Sequence, residues 1–378
     1  MRCAASAHAV SPAGSMGAGL LDGPAILHVI SGLRTGGAER MLLALVAELT
    51  RRGLPQHVVT LTPGGPNEAP LRALEAAVHA FDPRGLRAPR DLLALARLVR
   101  RLRPAVVQGW LYHGDLFAAL AHRLAGRPRG VRLAWGLRNS DIDAARYGRL
   151  LAAGRLLSRW PDVVIANSRS GADFHLGAGY RPRRLAVVPN GIDADRFRPD
   201  PAARAATRAA LGLPAGAAVA VHAARIDPMK DHAGLLAAAA LTPEVRYLLL
   251  GDGTEGLALP PNARALGRVA DPERVLAAGD LVVSASAFGE GFSNALAEGM
   301  CAGLVPVATD TGDARDILGG HGALVPPRDP VALAAAVGAM AALAPAAREA
   351  MGLAARAHVA ARYGLPVMAD GFLAAWEL

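Results

Sequence analysis

The chain has 378 residues, which is too long for one ordinary hydrophobic core, so two domains are predicted. Its 52% hydrophobic and 19% charged residues are typical of a folded globular protein. No stretch reaches the ~20 consecutive apolar residues that a membrane-spanning helix needs. The net charge of +9 is unevenly divided, because residues 24–198 carry +14 and residues 199–378 carry −5.

The N-terminal end and the cysteines predict the compartment. Residues 1–23 lack the leucine-rich apolar segment of a secretory signal and are predicted to form a flexible N-terminal extension. The two cysteines, Cys3 in that extension and Cys301 in a predicted helix, do not make a disulfide framework. We therefore expect a cytoplasmic protein.

Short β-branched runs alternate with amphipathic segments along the whole chain. In the first half the predicted strands cover residues 25–30, 57–61, 78–81, 105–110, 132–137, 163–168 and 185–190. In the second half they cover residues 219–225, 245–251, 263–269, 281–286, 305–310 and 323–327. Between most of them lie segments with leucine and valine at helical spacing, such as MLLALVAELTRRG. This alternation predicts an α/β protein with two doubly wound parallel sheets.

The predicted domain boundary lies in a segment rich in proline and arginine, Phe197–Ala206. It separates a first Rossmann-like domain over residues 24–198 from a second over residues 199–378, which includes closing C-terminal helices. Ligands of open α/β sheets bind at the carboxyl ends of the strands, so we expect a central cleft between the two domains.

Two glycine-rich loops follow predicted strands. In SGLRTGGAER, Gly36 and Gly37 precede a helix that opens at Ala38, and its free amides can bind phosphate, although such a pair is also ordinary turn chemistry. GDGTEG at residues 251–256 fits a dinucleotide-binding string, but Pro260 and Pro261 forbid the helix that this function requires. We interpret GDGTEG as a turn between strands.

Two cations five residues apart follow another predicted strand, in HAARIDPMKDH. Arg225 offers a planar fork and Lys230 a point charge, and together they can hold a diphosphate. The alternative is two solvated loop charges. Lys230 is the only lysine beside 40 arginines, which favours a geometric requirement at that position.

The segment AFGEGFSNALAEGMCAG contains two glutamates around a predicted helix start. Ser293 is a candidate N-cap for a helix that runs to about Cys301, so amides at its start are free to bind an anion. Glu290 precedes that helix and Glu298 lies inside it. Each could equally be a solvent-facing charge.

Taken together, these segments resemble a known enzyme family. The strings TGGAER, VIANSRSGADF, VVPNGIDADRFRP, ARIDPMKDH, LLLGDGTE and EGFSNALAEGMCAGLVPVATD are similar to the retaining GT-B glycosyltransferases called glycosyl transferases group 1. The resemblance implies two Rossmann-like domains that face a central cleft, and it implies transfer of a sugar from a nucleotide-sugar donor. A UDP-sugar is the first expectation and a GDP-sugar the second.

The resemblance also implies roles for individual residues. Arg225 and Lys230 bind the donor diphosphate, Glu290 contacts the donor sugar and Glu298 holds the ribose. The remaining implied contacts are backbone groups at Gly36, Gly37, Phe292, Ser293, Arg268 and Val269. His113 stands where family members often carry an active-site histidine, although it could be incidental. The residue after Val269 departs from the family pattern, since Ala270 stands where an aspartate is usual.

The mechanism and partners follow from the same resemblance. It implies that the acceptor attacks on the same face as the leaving group. Arg225 and Lys230 then make a metal ion unnecessary, and the DxD-like strings DID (141–143) and DAD (193–195) lie outside donor-domain loops. The acceptor is expected to be a glycan or a lipid-linked molecule of cell-surface polysaccharide or glycolipid synthesis.

The charge of the first half leaves two interpretations open. It can be a solvated surface, or it can belong to a domain that rests peripherally on the anionic inner face of the plasma membrane or binds a phosphorylated acceptor. Nucleic acid is disfavoured, because no stacking aromatic residues accompany the arginines. Alternatives for the whole protein are a nucleotide-sugar epimerase and a catalytically silent nucleotide-sugar-binding protein.

Overall fold

The structure is a computed structural model that describes residues 24–84, 87–140, 144–214 and 216–378. The predicted N-terminal extension, residues 1–23, and the DID string lie outside the described residues. Within the described ranges no single helix is both long and apolar enough to cross a membrane, although the bent pair Pro330–Ala341 and Pro345–Tyr363 passes by length and composition together.

The first sheet is wholly parallel and has seven strands in the order β3-β2-β1-β4-β5-β6-β7. The strands are β1 (Ile26–Ile30), β2 (Gln56–Thr60), β3 (Ala77–Ala80), β4 (Val106–Trp110), β5 (Arg132–Leu137), β6 (Val163–Ala166) and β7 (Leu185–Val187). The helices of this half are α1 (Gly37–Arg51), α2 (Glu68–Ala73), α3 (Ala88–Leu102), α4 (Leu111–Leu124), α5 (Ala144–Leu157) and α6 (Arg169–Gly177). Strand β1 pairs with both β2 and β4, so the strand order reverses beside β1 and a crevice opens there.

The second sheet is also parallel, with six strands in the order β10-β9-β8-β11-β12-β13. The strands are β8 (Val219–Ala223), β9 (Arg246–Leu250), β10 (Ala263–Gly267), β11 (Leu281–Ser284), β12 (Val305–Thr309) and β13 (Ala323–Val325). The helices are α7 (Pro201–Ala210), α8 (His232–Ala240), α9 (Pro272–Ala278), α10 (Asn294–Cys301), α11 (Ala314–Leu318), α12 (Pro330–Ala341), α13 (Pro345–Tyr363) and α14 (Leu365–Trp376).

These two sheets confirm the predicted fold class, and all thirteen predicted strands are present. The structure ends most of them one to three residues earlier than predicted; the strand predicted over residues 185–190 ends at Val187. The residues beyond these ends turn into the loops that face the cleft, where tertiary contacts replace sheet pairing. GDGTEG is a turn between β9 and β10 that contains a short 3-10 helix, Thr254–Gly256, as interpreted from the prolines that follow it.

The predicted second domain over residues 199–378 needs one correction, because α14 packs on the first domain. Phe372 and Trp376 belong to the hydrophobic core that contains Trp110 of β4. The Trp376 indole also donates a hydrogen bond of 2.8 Å to Gln108. The chain returns beside the linker, where Ile192 forms a parallel bridge with Gly364. The sequence shows that α14 is apolar but not which domain covers it.

Candidate active site

A cavity of about 240 Å³ lies between the two domains, where loops from the carboxyl ends of both sheets meet. From the first half of the chain it is lined by Gly37, Ala38, Arg138, Asn139, Ser140, Asn167 and Asn190. From the second half it is lined by Arg225, Met229, Lys230, Gly289, Glu290, Gly291, Phe292 and Asn294. Three cations and four asparagines in one small cavity make it suited to an anionic, hydroxyl-rich ligand.

The wall from the second domain is built around an ion pair. The Lys230 ammonium donates to Oε2 of Glu290, and the Ser286 hydroxyl donates to the same oxygen at 2.6 Å. Lys230 ends a 3-10 turn, Pro228–Lys230, that follows β8 and is capped by the Asp227 carboxylate. The fold thereby brings together two residues that are 60 positions apart in the sequence.

Arg225 lies at the more open side of the same wall. Its guanidinium bonds the Asp227 carboxylate at 2.7 Å, and its side chain is 65% exposed. The carboxylate of Asp227 has a lowered pKa: burial opposes this, but hydrogen bonds from the Met229 amide and Arg225 outweigh it. Arg225 is therefore loosely held and free to turn toward an anion in the cavity.

Backbone around Glu290 is constrained by glycine. At Gly312 the backbone has φ +56°, and a Cβ atom there would lie 2.1 Å from the Glu290 carbonyl oxygen. No side chain fits at that distance, so Gly312 permits the close approach. The Asp313 amide donates to the Gly291 carbonyl at 3.2 Å, which secures the loop that carries Glu290.

The loop of Glu290 is also attached to the first domain. The Asp313 carboxylate accepts hydrogen bonds from the Arg169 and Ser170 amides, at 2.8 and 3.1 Å, and from the Ser170 hydroxyl at 3.0 Å. Those amides form the first turn of α6, whose dipole favours a negative charge there. Ser140 adds a hydrogen bond of 2.6 Å to the Gly289 carbonyl. The two domains thus meet through specific polar contacts beside the cavity.

The predicted helix start after Glu290 is present as α10, with Ser293 in the N-cap position. Ser293 therefore has the predicted position, but its buried side chain makes no capping hydrogen bond. Phe292 lines the cavity and packs against Tyr363 at 5.1 Å between ring centroids. The free amides at the start of α10 therefore lie beside the cavity.

Glu298 lies in α10, is 8% exposed and does not line the cavity. Burial raises the pKa of its carboxyl group, an effect that the charge of Arg40 opposes. Arg40, in α1 of the first domain, has Nη1 3.4 Å from Oε1 of Glu298. Glu298 therefore faces the first domain across a narrow gap.

The loop that contains Gly36 and Gly37 packs against the second domain. Gly36 is the N-cap of α1, which begins at Gly37. A Cβ atom on Gly37 would come within 3.6 Å of the Asn294 side chain. The Arg268 guanidinium donates to the Thr35 hydroxyl at 2.6 Å, whereas Val269 is half-buried in the core of the second domain. The amides of α1 thus point toward the loops of the second domain.

His113 lies apart from this arrangement. It is exposed in the first turn of α4 and is not among the residues that line the cavity. In the DAD string, Asp193 accepts hydrogen bonds from the Asp195 and Arg196 amides and so organises a turn. Among the residues that the structure describes, no three His, Cys, Asp or Glu side chains converge to hold a metal ion.

Family models match both halves of the chain. The model for glycosyltransferase family 4 matches residues 35–196, and the model for glycosyl transferases group 1 matches residues 217–343. The chain belongs to the group 1 glycosyltransferases. It is a glycosyltransferase, as the resemblance implied.

Relatives and solved structures agree with this assignment. EpsF of Bacillus subtilis is 28% identical over 76% of this chain and 79% of its own length. The D-inositol 3-phosphate glycosyltransferase of Segniliparus rotundus is 33% identical over 71% of this chain, and the match spans less than two thirds of that relative, 63%. HepE of Anabaena, solved in complex with UDP and glucose, has a TM-score of 0.79 and 24% identity, covering 93% of this chain and 99% of HepE.

The structure of the glycosyltransferase brings together some predicted residues and separates others. Around the cavity it joins Gly37, Arg225, Lys230, Glu290 and Phe292. Gly36 and Ser293 adjoin lining residues, while His113, Val269 and Glu298 lie outside the lining. The side chains that the sequence did not identify are those of Arg138, Asn139, Ser140, Asn167, Asn294 and Asp313. Arg138–Ser140 directly follow the carboxyl end of predicted strand 132–137, a signal that could have identified them.

Asn190, in the PNGID segment before the linker, contacts both walls of the cavity. Its amide accepts a hydrogen bond of 3.1 Å from Arg138 and donates one of 2.9 Å to Asn294, at the start of α10. Asn190 therefore links a cation of the first domain to a helix of the second.

Proposed function

We propose that this glycosyltransferase transfers a sugar from a nucleotide-sugar donor, with retention of anomeric configuration, to a glycan or lipid-linked acceptor. The observation that carries the proposal is the Lys230–Glu290 pair, which lies with Arg225 in the cavity beside the first turn of α1. Cations and helix amides suit a diphosphate, and a carboxylate suits sugar hydroxyls. HepE, which shares the fold, was solved with UDP and with UDP-glucose, and this supports a UDP-sugar as the donor.

In this proposal each group has a separate task. Arg225, Lys230 and the amides of α1 and α10 hold the diphosphate and stabilise the charge that develops on it. Glu290 binds sugar hydroxyls, and its two existing donors, Lys230 and Ser286, make it a poor nucleophile. Glu298 binds the ribose hydroxyls once Arg40 has moved away from it or contacts the ribose as well.

The chemical step balances without a covalent enzyme intermediate. The bond between the anomeric carbon and the diphosphate oxygen breaks, and the diphosphate keeps the electron pair. The acceptor hydroxyl attacks from the same face and forms the new glycosidic bond, while its proton passes to a phosphate oxygen. Retention follows because the entering and leaving oxygens share one face.

A ligand screen followed by product analysis tests the proposal. Thermal shift with UDP-, GDP-, ADP- and dTDP-sugars identifies the donor, and we expect the largest stabilisation with a UDP-sugar. NMR of the product then gives the anomeric configuration. Inversion, or the absence of stabilisation by every nucleotide sugar, contradicts the proposal.

Metal independence is part of the same proposal. Because fixed cations and helix amides neutralise the diphosphate, turnover is expected to continue in EDTA. Complete loss of turnover in EDTA that Mg²⁺ or Mn²⁺ restores contradicts it.

The acceptor is proposed to lie on the first domain, at the cytoplasmic face of an anionic membrane. Helix α3 buries Leu95 and Val99, and its opposite side exposes a row of arginines. The exposed arginines of this region are Arg97, Arg100, Arg101, Arg103, Arg123, Arg127 and Arg129. Each basic residue near an anionic bilayer contributes about 1 kcal/mol, so several together give reversible attachment.

Sedimentation with liposomes tests this attachment. Binding is expected at low salt to vesicles that contain phosphatidylserine, to weaken as salt rises, and to be absent with neutral vesicles. If the protein stays in the supernatant with both kinds of vesicle, the basic face is a solvated surface and a small soluble acceptor takes the place of the lipid.

A further inference from the structure

Arg138 is held in a fixed orientation at the carboxyl end of β5. Its guanidinium carbon lies 4.6 Å from the centroid of the Trp110 ring and 5.3 Å from that of Phe372, and both rings are fully buried. One nitrogen, Nη1, donates to Asn190 at 3.1 Å. Stacking on two aromatic rings and one hydrogen bond leave the guanidinium little freedom.

Within the part of the chain that the structure describes, the guanidinium of Arg138 has no anionic partner. Its Nε and Nη2 atoms are buried and make no hydrogen bond with any part of the chain that the structure describes. Burial lowers the pKa of Arg138 to about 10, so it still carries its charge at neutral pH. An unpaired buried charge is costly unless a partner is supplied.

The carboxyl group of Asp115, which acts on Arg138 electrostatically, does not supply that partner. Oδ2 of Asp115, like Nε and Nη2 of Arg138, is buried without a hydrogen-bond partner, so these atoms do not bond to each other. One Asp115 oxygen accepts from the Gly136 amide at 2.9 Å, and burial raises the pKa of its carboxyl group well above the usual range. Asp115 therefore tends to hold a proton and leaves the charge of Arg138 uncompensated.

The cavity beside Arg138 provides space for an external anion. The cavity is lined by two other cations, and each already has a carboxylate partner. Lys230 is paired with Glu290, and Arg225 is paired with Asp227. Asn139 and Asn167 line the cavity beside Arg138, and their amides can donate to an anion as well. All three belong to the first domain, across the cavity from Lys230.

We propose that Arg138, with Asn139 and Asn167, forms a subsite for an anionic group of the acceptor, a phosphate or a carboxylate close to the hydroxyl that receives the sugar. This inference rests on the proposed function, since it takes the second domain as the donor side. It adds the chemical class of the acceptor and the residue that recognises it. The planar guanidinium suits both oxyanions, because each offers two oxygens to its fork.

The test separates binding of the donor diphosphate from binding of the anionic group of the acceptor. The protein is saturated with UDP, and inorganic phosphate or, separately, acetate is titrated in by calorimetry. We expect saturable binding of at least one of them to the wild type, with phosphate favoured if the acceptor is a phosphate ester and acetate favoured if it is a sugar acid. Arg138→Gln is expected to weaken this second binding 10-fold or more and to leave the affinity for UDP unchanged.

Two further variants keep the test decisive. Asn190→Asp places a carboxylate beside Arg138 and is expected to abolish binding of the added anion without loss of UDP affinity, even if Arg138→Gln does not fold. Arg264→Gln is the control, because Arg264 is an exposed cation that bonds the Leu211 carbonyl and does not line the cavity. It is expected to bind UDP and the added anion as the wild type does.

Each contrary outcome has one meaning. If neither anion binds the wild type, or if both Arg138→Gln and Asn190→Asp bind it normally, the subsite does not exist. If Arg138→Gln loses UDP affinity instead, Arg138 belongs to the donor subsite and the inference is wrong. If UDP does not bind at all, the proposed donor fails, whereas phosphate binding that depends on Arg138 still supports an anion subsite.

Discussion

The two walls of the cavity differ in how their charges are arranged. On the second domain, Lys230 and Arg225 each have a carboxylate partner. On the first domain, Arg138 stacks on aromatic rings and has no carboxylate partner among the described residues. A cation that already has a carboxylate partner must release it when an anion binds. A cation without such a partner loses no ion pair when the anion binds. If the proposed function holds, the second-domain wall rearranges when the donor binds, while the first-domain wall already has its cation in a fixed orientation.

The largest expected effect on ligand affinity comes from removing Lys230 from the wall of the second domain. Lys230→Met eliminates one charged hydrogen bond to the diphosphate, worth about 1.5–3 kcal/mol, so UDP affinity is expected to fall about 10- to 150-fold. Calorimetry with UDP measures this. Arg264→Gln, an exposed cation of the same domain that bonds the Leu211 carbonyl, is the control and should bind normally. Unchanged affinity in Lys230→Met removes the pair from the donor site.

The two glutamates are expected to respond differently. Glu298→Gln should weaken binding of free UDP, because the ribose is part of that ligand. Glu290→Gln should leave UDP binding intact, since it releases Lys230 from its partner, and should reduce turnover because the sugar loses its carboxylate. Calorimetry and initial rates separate the effects. Equal losses of UDP affinity in both variants contradict the assignment.

The next largest effect is expected from removing the contact between the two domains that Asp313 makes. Asp313→Ala removes three hydrogen bonds to the start of α6, which disfavours the closed arrangement by about 2 kcal/mol. Small-angle scattering should show a larger radius of gyration, and KM for the acceptor should rise. Asp316→Ala, which removes only a surface pair with Arg169, is the control. An unchanged radius of gyration shows that other contacts hold the domains together.

The last prediction concerns stability rather than ligand binding, and it involves one buried histidine in each domain. Burial lowers the pKa of His222 to about 3, helped by the charge of His232, and lowers that of His28 to about 4. The unfolded chain binds these protons near pH 6.5 and the folded chain does not. The free energy of unfolding is therefore expected to fall as the pH drops from 6.5 toward 4, by up to about 1.4 kcal/mol per pH unit for each histidine.

Urea unfolding at pH 7 and pH 5.5 measures this dependence. His222→Gln should reduce it in the second domain, followed by circular dichroism. His28→Gln should reduce it in the first domain, where Trp110, Trp135 and Trp376 are buried and report by fluorescence. If both variants keep the dependence of the wild type, other groups take up the protons.

The sequence by itself determined the two parallel sheets, the glycine turns and the charged residues of the second-domain wall. Strand periodicity is local, so it is visible without the fold, and the cations and glutamates lie within recognisable segments. The sequence also showed where strands end, but not which of the residues beyond them meet. Arg138 looked like one arginine among 40.

Only the tertiary structure decided how distant segments combine. It paired Lys230 with Glu290, placed Asp313 at the start of α6 and moved α14 onto the first domain. It also showed that two guanidinium nitrogens of Arg138 have no partner in the described ranges and that His113 lies outside the cavity lining. The physical reason is that burial and charge pairing depend on neighbours that are remote in the chain, whereas a strand or a turn depends mainly on adjacent residues.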